Sequence, residues 1–314
     1  MNWRKLGRVF SPQFQSTSIL KTHAQCPTAL VLKNCIRVYF SARKENQQSL
    51  PIYVDVAIDD PTRILNTCFT PIIVEGMPGT FDEHGIIPSY ILPVSDKVYL
   101  YYAGWSQAKG VPYKNFTGLA VSCDQGNTFT KFSEGPCLPL NFANPLSATG
   151  PAIIRIRDRF ECIYSTGTAW HDVNGHKEHV YVLRRAWSMD GINWEFDGED
   201  IFPADSPFHA YCKPAILFLN GIWHMWFSVR SSHGFRQAGK GSYRLGYAWS
   251  EDFIQWHRDD TEVGITISDE GWDSKMICYP NIVSVEGHSY MFYNGDGFGQ
   301  TGFGVAELKV GGQL

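Results

Sequence analysis

The apolar positions of this chain fall in short runs, and one recurring kind of run opens on a proline. These are Pro27-Thr-Ala-Leu-Val-Leu, Pro88-Ser-Tyr-Ile-Leu, Pro151-Ala-Ile-Ile-Arg-Ile, Pro214-Ala-Ile-Leu-Phe-Leu and Pro280-Asn-Ile-Val-Ser-Val. Their alternation and their β-branched and aromatic content predict strands, not helices. Proline at the first strand position is where a missing N–H costs least. Each run is followed by a tight turn (Lys33-Asn34, Ser95-Asp96, Arg157-Asp158, Asn220-Gly221, Glu286-Gly287). Each turn leads into an aromatic strand: RVYFSAR, VYLYYAG, FECIYSTG, WHMWFSVR and YMFYNGD. Successive prolines are 61, 63, 63 and 66 residues apart.

Two further strands follow in the middle repeats. Their signature, Gly118-Leu-Ala-Val-Ser-Cys-Asp-Gln-Gly-Asn-Thr-Phe129, recurs at Arg185 to Trp194 and Gly246 to Trp256. Four strands per repeat, in units that cannot bury both faces alone, predict an all-β, five-bladed β-propeller with four antiparallel strands per blade. The ends fit closure. The stretch from Pro280 through the C-terminus and on from Met1 to Pro27 spans one more repeat length, 61 residues. Asn2-Trp3 to Phe10-Ser-Pro12 also mirrors Asn193-Trp194 to Phe202-Pro203. Arg4 to Phe10 is therefore expected to pair with Gly302 to Glu307, closing the ring and removing an open sheet edge. The whole chain, 1–314, reads as a single propeller domain.

Composition narrows the function. Net charge is −4 with no basic run, so the sequence offers no phosphate-tracking surface for nucleic acid. No apolar run reaches the roughly 20 residues of a membrane span, and the N-terminus reads as a strand without a signal-peptide core. The eight cysteines include no CxxC pair, which suits buried free thiols in a reducing cytoplasm. Oligomeric state is not readable.

Connectivity selects a face. In an up-and-down blade the 2–3 loop and the blade-to-blade loop share one end. Here the 2–3 loops are long: Lys44 to Leu50, Ser106 to Phe116, Thr168 to Lys177, Ser231 to Ser242, Gly297 to Gln300. Long loops on a rigid scaffold are where sites are built. The same end collects Asp82-Glu83-His84, His209 to Lys213 and Asp273 to Tyr279 before inner strands. Arg43, Trp105, Arg230, Asn294 and Asp296 join them at the ends of second strands.

The proline-led strands and Phe81-Asp82-Glu-His-Gly-Ile-Ile-Pro88-Ser resemble the glycoside-active propellers: arabinanases and xylosidases, fructosidases and mannoside phosphorylases. The chain is similar also to an uncharacterised bacterial group found with surface-polysaccharide genes. That group shares FSAR-like (Phe40 to Arg43), PYxN-like (Pro112 to Asn115), GWDS-like (Gly271 to Ser274) and YNGxGxGxTGFGxA-like (Tyr293 to Ala306) segments. The resemblance covers nearly the whole chain and implies the fold and a sugar-related site. It does not fix the reaction. Glycosidases of this architecture carry carboxylates at the pore end of three blades. Here the first blade offers Gln25-Cys26, the third Asn144 to Gly150, and the fourth His209 and Lys213.

Asp82 and Asp273 are the catalytic candidates, since glycosyl transfer needs one carboxyl to protonate the leaving oxygen and one to activate water or attack. They are expected to meet across the pore near the inverting separation of about 6.5–9.5 Å. The alternative is that each caps a loop through backbone N–H groups. Arg43 and Arg230, with His209 and Lys213, suit an anionic group, or else Arg43 and Arg230 tie blades together. Trp105, Tyr113, Trp170 and Tyr211 are candidate stacking surfaces for a sugar, or packing residues. Asn294 and Asp296 complete the binding set. Asp124, Asp190 and Asp252 fall in turns on the other face and read as turn-formers. His171, His176, His179 and Asp172 match no standard metal spacing, and the sequence calls for no cofactor. Two readings stay open. One is a glycosidase-like enzyme, a hydrolase, phosphorylase or transferase, acting on an anionic or phosphorylated sugar or oligosaccharide. The other is a non-catalytic sugar-binding propeller that has lost its acids.

Overall fold

The computed structural model describes residues 1–14, 17–236 and 241–309. Residues 237–240 of the Ser231 to Ser242 loop, and 310–314 at the end of the expected domain, lie outside the described residues. The fold is nearly all β. An N-terminal strand β1 (Trp3–Phe10) precedes antiparallel runs of hairpin-linked strands. β2 (Thr22–Val31), β3 (Ile36–Arg43), β4 (Ser49–Val56) and β5 (Ile64–Cys68) pair in order. β6 (Gly85–Val94), β7 (Lys97–Gln107), β8 (Tyr113–Ser122) and β9 (Thr130–Lys131) do the same. So do β10 (Ala148–Ile156), β11 (Arg159–Val173), β12 (His176–Ser188) and β13 (Glu195–Asp200). The next run is β14 (His209–Leu219), β15 (Ile222–Ser231), β16 (Arg244–Ser250) and β17 (His257–Arg258). In the last, β18 (Cys278–Val285), β19 (His288–Asn294) and β20 (Phe303–Leu308) are completed by β1 on β20. That pairing sets Arg4 opposite Glu307 and Phe10 opposite Phe303.

The apolar core lies in the seams between consecutive runs. Leu30, Tyr39 and Tyr53 of one run pack on Ile86, Leu100 and Tyr102 of the next. The same arrangement joins Val38, Phe40 and Ile52 to Phe10, Phe292 and Phe303 of the last run. Side chains from the second strand also stitch a run to the inner strand that follows. Ser165 Oγ accepts from Lys213 N at 3.3 Å, Ser228 Oγ accepts from Tyr279 N at 2.8 Å, and Asn294 Oδ1 accepts from Cys26 N at 2.7 Å. The Ser-x-Asp signature is a capped turn: Asp124, Asp190 and Asp252 each accept from backbone N–H groups two to four residues on. All eight cysteines are free thiols. Among the described residues no helix is long and apolar enough to cross a membrane.

The opening prolines do more than start strands. Just before four of them the chain takes a left-handed turn, at Cys26 (φ 56°), Gly150 (61°), Lys213 (53°) and Tyr279 (56°). At each, the register of the inner strand slips: between Gln25 and Thr28, Thr149 and Ala152, Cys212 and Ala215, Cys278 and Asn281. These are β-bulges, which bend a strand and re-aim a side chain. Left-handed φ at a non-glycine residue costs of order 1–3 kcal/mol and persists only where its surroundings enforce it. Here it is enforced three times outside glycine, at one level of the fold.

Candidate anion-binding cavity

The bulges explain where the site is. Cys26, Gly150, Lys213 and Tyr279 all line one cavity of about 460 Å³, together with Ile87, the pre-proline residue of the second run. The remaining wall comes from the ends of second strands, the starts of third strands and the loops between them. That is the end of the fold the connectivity selected.

Among the described residues, the cavity lining holds four cationic side chains, Arg43, Lys213, Arg230 and Arg236, and no carboxylate. They are not equivalent. Arg230 is already engaged: its guanidinium donates to the Tyr181 and Tyr243 hydroxyls and to the His179 carbonyl oxygen at 2.6 Å. Arg236 forms a two-pronged pair with Glu178 at 2.8 and 3.1 Å. Arg43 donates to Gln25 Oε1 at 3.1 Å, and burial lowers its pKa. Lys213 is 3% exposed and its Nζ has no hydrogen-bond partner among the described residues. Desolvation pulls it from 10.5 to about 8, against opposing contributions from the Cys26 and Cys212 thiols. Burial in turn pushes the Cys26 thiol up to about 12, so it stays neutral.

Other unpartnered polar atoms face the same space. Neither ring nitrogen of His179, which is 2% exposed, has a partner among the described residues, and the same is true of Asn115 Oδ1 and Thr149 Oγ1. Burial and the Arg230 charge hold His179 down near 3, so its imidazole is neutral, one nitrogen a donor and one an acceptor. The ring stacks on Trp170 at 4.2 Å and 6°. It passes so close to Gly167 that any side chain there would collide with it and with Ser147 Oγ. Buried polar groups are ordinarily paired; several unpaired ones in one cavity form a set of handles for a ligand.

Of the residues singled out from sequence, Arg43, Trp105, Tyr113, Lys213 and Arg230 line the cavity. Trp105 is fixed by its indole N–H on Ser49 Oγ at 2.8 Å. Trp170 stands behind His179 instead of in the wall. His209 pairs with Asp205 at 2.7 Å, and Tyr211 also bonds that carboxylate. Asn294 is spent on the backbone of Cys26, Ala24 and Gly302, and Asp296 accepts from the N–H groups of Lys275 and Met276.

Asp82 and Asp273 do not meet across the cavity, and neither lines it. Asp82, wholly buried, receives the Tyr102 hydroxyl at 3.0 Å and Lys131 Nζ at 2.7 Å. Asp273 receives Tyr293 at 3.0 Å and Lys5 at 2.6 Å. Each joins an inner-loop residue, a tyrosine of the second strand and a lysine of the outermost strand within one run. Asn144 holds Tyr164 the same way at 2.9 Å. The carboxylates fasten the runs internally; their reach is used up by a cation and a phenol, not by the loop N–H groups expected for a cap. Arg236, Tyr181 and Tyr243 belong to the site and were not foreseen; His179 was weighed only as a metal ligand, and Tyr279 only as the end of the stretch from Asp273. Their signal is position: Tyr279 is a pre-proline bulge residue, His179, Tyr181 and Tyr243 lie in or beside a third strand, and Arg236 sits in the long loop that leads to one.

No family model matches the chain. It is 35% identical over 313 residues, 98% of its length and 100% of theirs, to two proteins of Mycobacterium tuberculosis. These are the uncharacterized proteins MT1551 of strain CDC 1551 / Oshkosh and Rv1502 of strain H37Rv. Among solved structures it is similar to a glycosyl hydrolase from Bacteroides ovatus (TM-score 0.72, 14% identity, 100% of this chain and 92% of that one). It is similar also to a structure from work on the GH130 family of mannoside phosphorylases and on glycoside hydrolases that target β-1,2 mannosidic linkages in Candida mannan (TM-score 0.73, 14% identity, 100% and 95%). A third neighbour is a glycoside hydrolase (TM-score 0.75, 15% identity, 99% and 93%). At these identities the shared property is the fold.

Proposed function

The chain belongs to the family of the two mycobacterial proteins, and we propose that it binds an anionic sugar derivative, phosphorylated or carboxylated, in the cavity at the end of a five-bladed propeller. The observation that carries this is the lining: four cations, no carboxylate among the described residues, and buried polar atoms left without partners. The sugar is suggested by the fold, since the neighbours include glycoside hydrolases and a mannoside phosphorylase family. The five-blade count, a single domain and ring closure are part of the proposal. Support comes from β1 on β20, the apolar seam joining first and last runs, and the bonds of Asn294 to Cys26 and Ala24. Free thiols suit a reducing compartment.

A carboxylate-pair glycosidase is the weaker reading. Asp82 and Asp273 are committed to Lys131 and Lys5, and the described residues of the cavity lining supply no other acid. The binding reading is tested by calorimetric titration of the full chain with inorganic phosphate, a hexose phosphate, a hexuronate and the parent hexose. The anions should bind and the neutral hexose should bind at least tenfold more weakly. A charge-assisted hydrogen bond is worth about 1.5–3 kcal/mol. Arg43→Ala should therefore weaken the anions ten- to a hundredfold with the melting temperature unchanged. Arg230→Ala should lower the melting temperature, because it leaves two buried phenols and a carbonyl without their donor. Equal affinity for the hexose and its phosphate, or no titration by any anion, would end the proposal.

A further inference from the structure

We propose that Lys213 is a nucleophilic amine that forms an imine with the carbonyl carbon of an anionic, open-chain carbonyl compound, such as the aldehyde form of a sugar phosphate. This rests on the anion-binding reading and gives the same cavity a chemical activity. Three observations meet at the one side chain. The amine is buried at the cavity wall and has no partner among the described residues. It is carried on a left-handed bulge residue, φ 53°, a strained backbone that fixes the direction in which the side chain leaves the strand. Arg43 shares the lining, bonded to the neutral amide of Gln25, and remains available to a ligand's anionic group.

The physical chemistry follows from the surroundings. An ordinary lysine is an ammonium at neutral pH and has no lone pair to offer. A lysine desolvated beside other cations gives up its proton more readily and becomes a nucleophile. Burial acts in that sense on Lys213, bringing it to about 8. No carboxylate among the described residues stands in the lining to hold it as an ion pair. The step balances without any further reagent. The amine lone pair adds to the carbonyl carbon and the C=O π electrons move to oxygen. That oxygen then leaves as water, carrying the two hydrogens that the nitrogen brought. A C=N bond replaces the C=O bond, and no oxidation occurs.

The probe is pyridoxal 5′-phosphate, an aldehyde with a phosphate, added to the full-length protein at pH 8. Borohydride then delivers hydride to the imine carbon while solvent protonates the nitrogen, fixing a secondary amine. Intact mass should show one adduct per chain, and peptide mapping should place it on Lys213. Inorganic phosphate should suppress it, and pyridoxal without the phosphate should label at least tenfold less. Lys213→Met should lose the adduct, whereas Lys213→Arg should lose the adduct and keep phosphate binding. If phosphate binds but Lys213 stays unmodified, or the adducts scatter over surface lysines, the imine proposal falls and the anion-binding reading stands. If Lys213 is labelled equally by pyridoxal and by its phosphate, with no protection by phosphate, the anion-binding reading falls and takes the anionic substrate with it.

Discussion

Replacing Lys213 by methionine should make the protein more stable at neutral pH. The native state holds this amine at about 8, and the unfolded chain holds it near 10.5. Below pH 8 both states are protonated, but the folded one carries its charge in a site without a partner. Lowering the amine from 10.5 to about 8 costs about 3 kcal/mol. Between pH 8 and 10.5 the unfolded state binds the proton that the native state lacks, so stability rises with pH across that window. Above 10.5 the penalty is gone. Methionine matches the stem in length and carries no charge, so Lys213→Met should recover the penalty.

At roughly 2.1 cal/mol/K per residue, unfolding 314 residues carries an entropy of about 0.7 kcal/mol/K. The variant should therefore melt about 5 °C higher at pH 7. The gap should shrink steadily between pH 8 and 10.5 in parallel urea titrations of the two proteins. Saturating phosphate should also narrow it, because a ligand that binds the lysine-bearing native state more tightly than the variant stabilises that state selectively. A variant no more stable than the parent at pH 7, or a gap indifferent to pH, would mean the amine has a partner. The cavity would then not be a set of unpaired handles.

Asp82→Ala and Asp273→Ala should each cost about 3–5 kcal/mol, since each leaves a lysine and a buried phenol without their acceptor; melting temperature should fall while phosphate affinity holds, and lost binding at unchanged stability would restore a direct role. Deleting residues 1–10 removes the buried Trp3, Val9 and Phe10 and bares the β20 edge. The truncated chain should aggregate and melt early, and full solubility at the parent melting temperature would contradict closure through β1.

Much of the architecture was legible because repetition is a property of sequence. The prolines, the aromatic second strands and the Ser-x-Asp turns recur at one spacing, and the pairing of Arg4 with Glu307 follows from the same count. The bulges were not legible. A proline tells that the residue before it avoids the right-handed helical region. It does not tell that Cys26, Lys213 and Tyr279 go left-handed, which depends on the bond each N–H makes to a residue of another run. Those bonds exist only after the runs have packed.

The reading of Asp82 and Asp273 as a catalytic pair shows how chain distance misleads. Both lie six or seven residues before an inner-strand proline, on the loop-bearing end, and a carboxylate there satisfies every sequence criterion for a site residue. What decides its role is where the side chain finds its charge partner. In both cases that partner comes from the outermost strand of the same run, at the far side of the sheet from the cavity. One clue was present. Each carboxylate stands 20 residues before the tyrosine that binds it, Tyr102 and Tyr293, and Asn144 stands 20 before Tyr164. A constant offset to a second-strand phenol marks a repeated structural clasp, and an amide serves in it as well as an acid. Once that clasp is subtracted, the charged side chains among the described residues of the cavity lining are all basic. The cavity is then better understood through the anion it attracts and the buried, readily deprotonated amine it shelters than through acids it does not hold.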